Sequence, residues 1–231
     1  MANLTITALY TRKFLIGIVL LLVALQPDIG TLAVIAASVM SVYFVAPSSK
    51  KHLFLLFIAG ILAFGLLITV APYRMARLTT YLDPKTDTLD TSYQINQSLI
   101  AVGTGGVFGR GLGQSKQKYQ YLPEVVGDSI FAVIAEELGF ILTSIFILIY
   151  IYFIVLGFSI ASKAATDFGK YAVAGIMSWI ATQTFINIGA MLQIFPLTGL
   201  PLPFVSYGSS AFITSMAAVG IVISVSRFTK Q

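Results

Sequence analysis

Apolar residues run along this chain in blocks close to the length of a membrane-crossing helix, and polar punctuation divides them. Such a helix needs about 20 mostly apolar residues, within a range of about 17–25. The first run, residues 14–25, reaches that length when extended back to Thr5 or Leu9. Gln26-Pro27-Asp28-Ile29-Gly30 then predicts a turn, because Pro removes a backbone donor and Gly permits the reversal. Asp28 there reads as a local turn former. Residues 31–46 predict a second span, ending at Pro47 and the Ser48-Ser49-Lys50-Lys51-His52 cluster, and residues 53–71 a third, closed by Pro72. A fourth runs from Ile130 or Leu138 to Ala161, a fifth over 171–195 and a sixth over 207–226. A short polar loop (163–170) and a Pro/Gly-rich loop (196–206) separate these last three. The pattern predicts an all-α polytopic membrane protein. It has about six transmembrane helices in a single membrane domain, 1–231, and one large non-spanning loop, 72–128.

That loop is too long to be a simple tether, and its parts differ in character. Residues 73–90 are charged, contain Pro84, and predict a solvated loop. Over 94–102, Ile95, Leu99 and Val102 recur at helical spacing, as in a helix lying against the membrane surface. Gly103, Gly105, Gly106, Gly109, Gly111 and Gly113 follow, too dense for a helix and suited to close backbone approach. A flexible connector is the other reading of this run. Val107, Phe108 and Leu112, interleaved with the glycines, are expected to be buried.

Composition turns the helix pattern into a membrane assignment. Of the 231 residues 57% are hydrophobic and 10% charged, against roughly 25% charged in a soluble domain. Mean hydropathy is +0.90. The absence of cysteine excludes disulfides and thiolate metal sites, and a single histidine, His52, excludes a His-based one. The first apolar run has no small-x-small site before its turn and is expected to stay uncleaved. The net charge of +5 need not imply nucleic acid, because of where the cations fall. The N-terminus, the 47–52 and 162–170 loops and the C-terminus carry Arg12, Lys13, Lys50, Lys51, Lys163, Lys170, Arg227 and Lys230 against Asp167 alone. The other side carries Arg74, Arg77, Lys85, Arg110, Lys116 and Lys118 against eight acids. Short loops rich in Lys and Arg stay cytoplasmic, so both termini are expected inside and the 72–128 loop outside.

Candidate chemistry gathers in the outer loop. Asp128 stands directly before an apolar helix start. It reads either as a cap for the first-turn amides or as a general base at the lipid–water boundary, where partial desolvation raises a carboxylate's pKa. Glu136 lies eight residues on, about 12 Å along a helix and near the same face; Glu137 points about 100° away. Acids inside membranes usually face a cavity or a partner, and an interfacial charge at a helix end is the plainer alternative. Arg110, Lys116 and Lys118 beside the glycines form either a solvated charge pattern or an anion site of cations and backbone amides. Ser206 is expected to cap the last helix.

An ordered set of motifs resembles the SEDS (shape, elongation, division and sporulation) family, the FtsW/RodA/SpoVE group of bacterial cell-wall proteins. The pieces are Gln26 to Thr31, Pro72-Tyr73-Arg74 with Arg77, Tyr93-Gln94, Gln97-Ser98, Gly109 to Gly113, and Gln117-Lys118. They continue with Tyr121-Leu122-Pro123-Glu124, Asp128 with Ile130-Phe131-Ala132, and Glu136 to Gly139. Asn187-Ile188-Gly189, Pro196 to Leu200 and Ser206-Tyr207-Gly208 complete the series. The spelling is nearer the division and sporulation branch. The family usually has ten spans, and this chain is similar to the last six. Gly127-Asp128-Ser129 departs from the usual Thr-Asp-Phe or Asn-Asp-Phe, and Ser209 replaces a usual glycine.

The resemblance implies a peptidoglycan glycosyltransferase of the bacterial cytoplasmic (inner) membrane that polymerises lipid II on its outer face. Asp128 would be the catalytic base, and Arg110, Lys118, Tyr121, Glu124, Glu136, Gln97 and Ser206 would contact substrate. It also implies that a divalent cation, Mg or Mn, can clamp the leaving diphosphate, with no organic cofactor. The implied partners are lipid II, a class B penicillin-binding protein and divisome or elongasome membrane proteins, with no nucleic acid. A lipid II transporter and a non-catalytic cell-division membrane protein are the alternatives.

Overall fold

A computed structural model gives the architecture. It describes residues 17–18, 21–23, 25–26, 28–47, 49–70, 72–82, 91–120 and 122–229. The elements are α1 (Ile29–Val45), α2 (Lys50–Val70), α3 (Pro72–Leu82), α4 (Thr91–Gly105), α5 (Gln117–Gln120), α6 (Ile130–Lys163), α7 (Asp167–Met191) and α8 (Ser209–Ser226). No strand forms among the described residues. The first expected span is helical at residues 17–18, 21–23 and 25, with a turn at Gln26, and its start lies outside the described residues.

Each boundary has a local cause. Asp28 caps α1, its carboxylate accepting from Thr31 N at 2.9 Å and Thr31 Oγ1 at 2.6 Å. Thr166 caps α7 by accepting from Gly169 N at 3.1 Å. Among the described residues three helices are long and apolar enough to cross a bilayer: Lys51–Thr69, Ile130–Lys163 and Ser209–Ser226. The apolar α1 is shorter, at 17 residues. Helix α7 is the central element, packed against α1, α6 and α8, and it buries Ser178, Gln183, Thr184 and Asn187 among its apolar residues. Two small residues set the close crossings. A Cβ on Gly157 of α6 would lie 2.4 Å from Met177 Sδ, and one on Gly30 of α1 would lie 2.8 Å from Leu200 Cγ.

The segment expected as a large loop, 72–128, is more structured than its charge pattern suggested. The stretch expected to be a solvated loop is helical over Pro72–Leu82, and its remainder, 83–90, lies outside the described residues. The helix over 94–102 exists as part of α4, yet it packs on protein rather than on the membrane surface. Ile95 joins one cluster with Phe131, Met191, Leu197 and Leu202, and Ala101 joins another with Leu122, Ala132 and Val133. Its buried face also carries Gln94 and Ser98, which no apolar-periodicity count would place inside. Two other expectations are corrected. Val107, Phe108 and Leu112 are exposed, and the fifth span ends at Met191, because Gln193 turns to φ +56° and Pro196 follows.

Candidate active site

Helix α6 is broken near its N-terminal end, and the glycine run fills the break. Gly139 has φ +71° and ψ −177°, a conformation essentially confined to glycine. The break frees the carbonyls of Glu136 and Glu137 and the amides of Phe140 and Ile141 from their helical partners. Arg110 N donates to Glu136 O and Gly111 N to Glu137 O, both at 3.0 Å. Phe140 N donates to Gly106 O at 2.8 Å and Ile141 N to Val107 O at 3.2 Å. The hairpin is thus spliced into the helix by four backbone bonds. No side chain fits at the crossing: a Cβ on Gly109 would stand 2.2 Å from Glu137 O, and one on Gly139 2.1 Å from Gly109 N.

The same loop turns several of its amides, together with Arg110 and Lys118, on the protein's own carboxylates. Glu136 is 0% exposed and accepts from Ser115 Oγ at 2.5 Å, Lys116 N at 3.2 Å, Gln117 N at 3.3 Å and Thr104 Oγ1 at 3.4 Å. Arg110 Nε lies 3.3 Å from the same carboxylate. Glu137 accepts from Gly113 N at 2.9 Å, Ser115 N at 3.3 Å and Lys118 Nζ at 2.7 Å. That last bond holds the Lys118 ammonium above its ordinary pKa, with desolvation opposing it. The amides and cations expected to cradle a diphosphate therefore hold Glu136 and Glu137. Glu136 is not an interfacial charge but the buried anchor of the splice.

Asp128 belongs to a second group. It is 8% exposed and does not act as the helix cap, a position held by Ser129 without a side-chain capping bond. Gln94 Nε2 on α4 reaches Asp128 Oδ1 at 3.3 Å, Oδ2 at 3.5 Å and Ser129 Oγ at 3.0 Å. Asn187 Nδ2 on α7 donates to Asp128 O at 2.8 Å and to Leu200 O at 2.7 Å. Burial pushes the Asp128 carboxyl above the ordinary carboxylate range. Its own amide draws it down, the Glu124 charge raises it, and Gln94 and the Ser129 amide lower it again.

The 192–208 loop closes over this group. Arg77 Nη1 donates to Leu197 O at 3.1 Å, Tyr81 OH to Ile194 O at 2.9 Å, and Gln183 Nε2 to Pro201 O at 2.8 Å. The Tyr150 hydroxyl donates to Pro203 O. Ser206, expected to cap the last helix, instead accepts from Leu202 N at 2.7 Å and donates to Gly127 O at 2.6 Å. The cap position of α8 falls to Gly208. Gly199, at φ +71°, brings loop backbone beside the carboxylate: a Cβ there would be 4.0 Å from Asp128 Oδ2.

Asp128, Glu124 and Ser206 thus meet in one neighbourhood, while Arg110, Lys118 and Glu136 form the other. Gln97 is half-buried on α4, and Tyr121 lies outside the described residues. Gln94 and Asn187 carry the site, although sequence reasoning assigns chemistry to neither. The signal for both is membership of the ordered motif set, Tyr93-Gln94 and Asn187-Ile188-Gly189. For a divalent cation, no group of three or more His, Asp or Glu side chains forms among the described residues. The donor set near the carboxylate is Asp128 with Glu124.

A polytopic helical membrane protein with a buried carboxylate at a helix entrance, clamped from three elements, is the class this geometry defines. The chain belongs to the FtsW/RodA/SpoVE family of cell cycle proteins, whose model matches residues 2–231. It is 43% identical over 210 residues to stage V sporulation protein E of Bacillus subtilis, covering 91% of this chain and 57% of that protein. It is 41% identical over 214 residues to a protein of Thioalkalivibrio sulfidiphilus named probable peptidoglycan glycosyltransferase FtsW, covering 91% and 54%. A solved chain from work on the structural coordination of polymerization and crosslinking by a peptidoglycan synthase complex superposes with TM-score 0.73 at 26% identity. The match covers 93% of this chain and 60% of that one. The chain spans a little over half the length of these curated relatives.

Proposed function

We propose that this chain carries the active site of a peptidoglycan glycosyltransferase that polymerises lipid II at the outer face of the bacterial cytoplasmic membrane, with Asp128 as general base. The observation that carries this reading is the state of Asp128. Its carboxyl is desolvated enough to sit above its ordinary pKa, and its backbone is held by Asn187. A base poised nearer neutrality accepts a hydroxyl proton more readily in the transition state. Asp128 takes the proton of the acceptor GlcNAc 4-hydroxyl as that oxygen attacks the donor MurNAc anomeric carbon. The bond to the diphosphate breaks, and undecaprenyl diphosphate leaves with the bonding electrons. Glu124, whose charge lies beside Asp128, is the carboxylate that would hold a divalent cation, since Mg uses one or two carboxylates together with substrate phosphates. The cation would supply charge neutralisation for the leaving group.

The cation distribution supports an outside location for this site and cytoplasmic termini. Similarity to a chain of a peptidoglycan synthase complex supports a class B penicillin-binding protein as the crosslinking partner. A lipid II transporter would need an acid open to the translocation path. Glu136 argues against that role, because its carboxylate is sealed by donors.

The test is lipid II polymerisation by the full-length protein reconstituted with its partner. Asp128→Ala is expected to lower the rate by about 10²–10⁴-fold, the range of general base catalysis. Polymerisation at the wild-type rate would remove Asp128 from the mechanism, and lipid II flipping with no polymer would favour the transporter.

A further inference from the structure

The 106–112 hairpin presents apolar side chains where a glycine-rich connector has least reason to. Phe108 is 83% exposed, Leu112 78% and Val107 54%. Floppiness does not explain this. The hairpin backbone is pinned by the four splice bonds, and Gly109 and Gly139 are in contact too close for a methyl group. What the hairpin abuts gives the reason. Residues 140–163 of α6, about 36 Å of helix, match the roughly 30 Å hydrocarbon core with a turn to spare. Gly139 therefore stands at the headgroup level. Directly below it, Phe140, Ile141 and Leu142 are exposed, with Phe140 at 72%. The bonds from Phe140 N to Gly106 O and from Ile141 N to Val107 O make the hairpin's apolar surface continuous with that exposed apolar stripe. Arg110 and Lys116 flank it, the aromatic-plus-cation composition that settles at membrane interfaces.

We propose that the hairpin is a membrane-interface ledge, with Val107, Phe108 and Leu112 seated among lipid headgroups and upper acyl chains where α6 enters the bilayer. The upper segment of α6, residues 130–138, is about 13 Å long, so the ledge limits how far Asp128 can stand above the lipid surface. This consequence rests on Asp128 being the base for a lipid-linked substrate; the ledge itself does not.

The absence of cysteine from the chain makes the test direct. Phe108→Cys, Gln114→Cys and Phe140→Cys are each spin-labelled in the full-length protein, with any further cysteine of the reading frame replaced, and reconstituted in liposomes. Accessibility to oxygen is compared with accessibility to a water-soluble nickel complex. The label at 108 is expected to be oxygen-rich and nickel-poor, approaching 140, whereas exposed Gln114 just beyond the hairpin shows the reverse. Nickel access at 108 equal to that at 114 overturns the ledge in favour of bulk water. Shielding at 108 from both reagents overturns it in favour of a protein covering. Because the readout is depth rather than polymerisation, failure here leaves the assignment of Asp128 standing, and the reverse also holds.

Discussion

Replacing Gly139 by alanine tests the splice where it is tightest. At φ +71° and ψ −177°, an L-residue carries a backbone strain of about 1–3 kcal/mol. The added Cβ would also sit 2.1 Å from Gly109 N and 2.6 Å from Phe108 C. These are backbone atoms held by hydrogen bonds, so relief requires the hairpin to leave the helix. That departure forfeits four backbone bonds, at about 1 kcal/mol each net. Departure also relaxes residue 139, so strain and lost bonds are alternatives, and the four bonds set the cost at roughly 4 kcal/mol, against the 5–15 kcal/mol that stabilises a typical protein. The unfolding midpoint of the detergent-solubilised full-length protein should fall by on the order of 10 °C or more. Gly103→Ala is the control. Gly103 lies in α4 with nothing within 4 Å of an added Cβ, so alanine there should be neutral or stabilise by about 0.4–1 kcal/mol. Equal midpoints for Gly139→Ala and the wild type would refute the splice.

Three further outcomes follow from the two clusters. Glu136→Ala leaves Arg110 without its carboxylate, and the buried Ser115 hydroxyl and two half-buried amides without an acceptor. It should destabilise by about 2–4 kcal/mol in thermal or chemical unfolding, and a loss below about 1 kcal/mol would contradict the anchor role. Gln94→Leu removes a donor that lowers the Asp128 pKa, so the carboxyl rises further and is less ionised at any given pH. The acid limb of the polymerisation rate profile should move to higher pH, and an unmoved limb would take Gln94 out of the site. The sign for folding runs the other way from a salt-bridged aspartate. The folded carboxyl binds its proton more tightly than the unfolded one, so stability is lost as pH rises from the ordinary value of 3.8 through the raised one. Asp128→Asn should therefore raise the midpoint at neutral pH and lose that advantage in acid; a lower midpoint at neutral pH would count against costly desolvation.

The helices can be read from local chemistry, because burial in lipid or protein imposes apolar runs and because Pro, Gly and capping residues end them. The Asp28 turn, the α2 span before Pro72 and the two possible starts of α6 are all visible this way. Both starts are physical: the helix begins at Ile130 and breaks at Gly139, beside Leu138. The density of glycines correctly implies close backbone approach, and the position of Asp128 marks the helix entrance.

Hydrogen-bond partners are decided by the tertiary structure alone. Whether Arg110 and Lys118 face solvent, substrate or Glu136 and Glu137 depends on segments 19–26 positions apart meeting across a helix break. Ser206 bonds Gly127 from 79 residues away, and Gln94 meets Asp128 from 34. A charge pattern is satisfied equally well by water, ligand or another side chain, so it names the donors without naming the acceptor. The exposure of Val107, Phe108 and Leu112 has the same origin. Sequence alone gives their apolarity, and only the packed hairpin decides whether that surface turns toward protein or outward beside the exposed apolar stripe of α6.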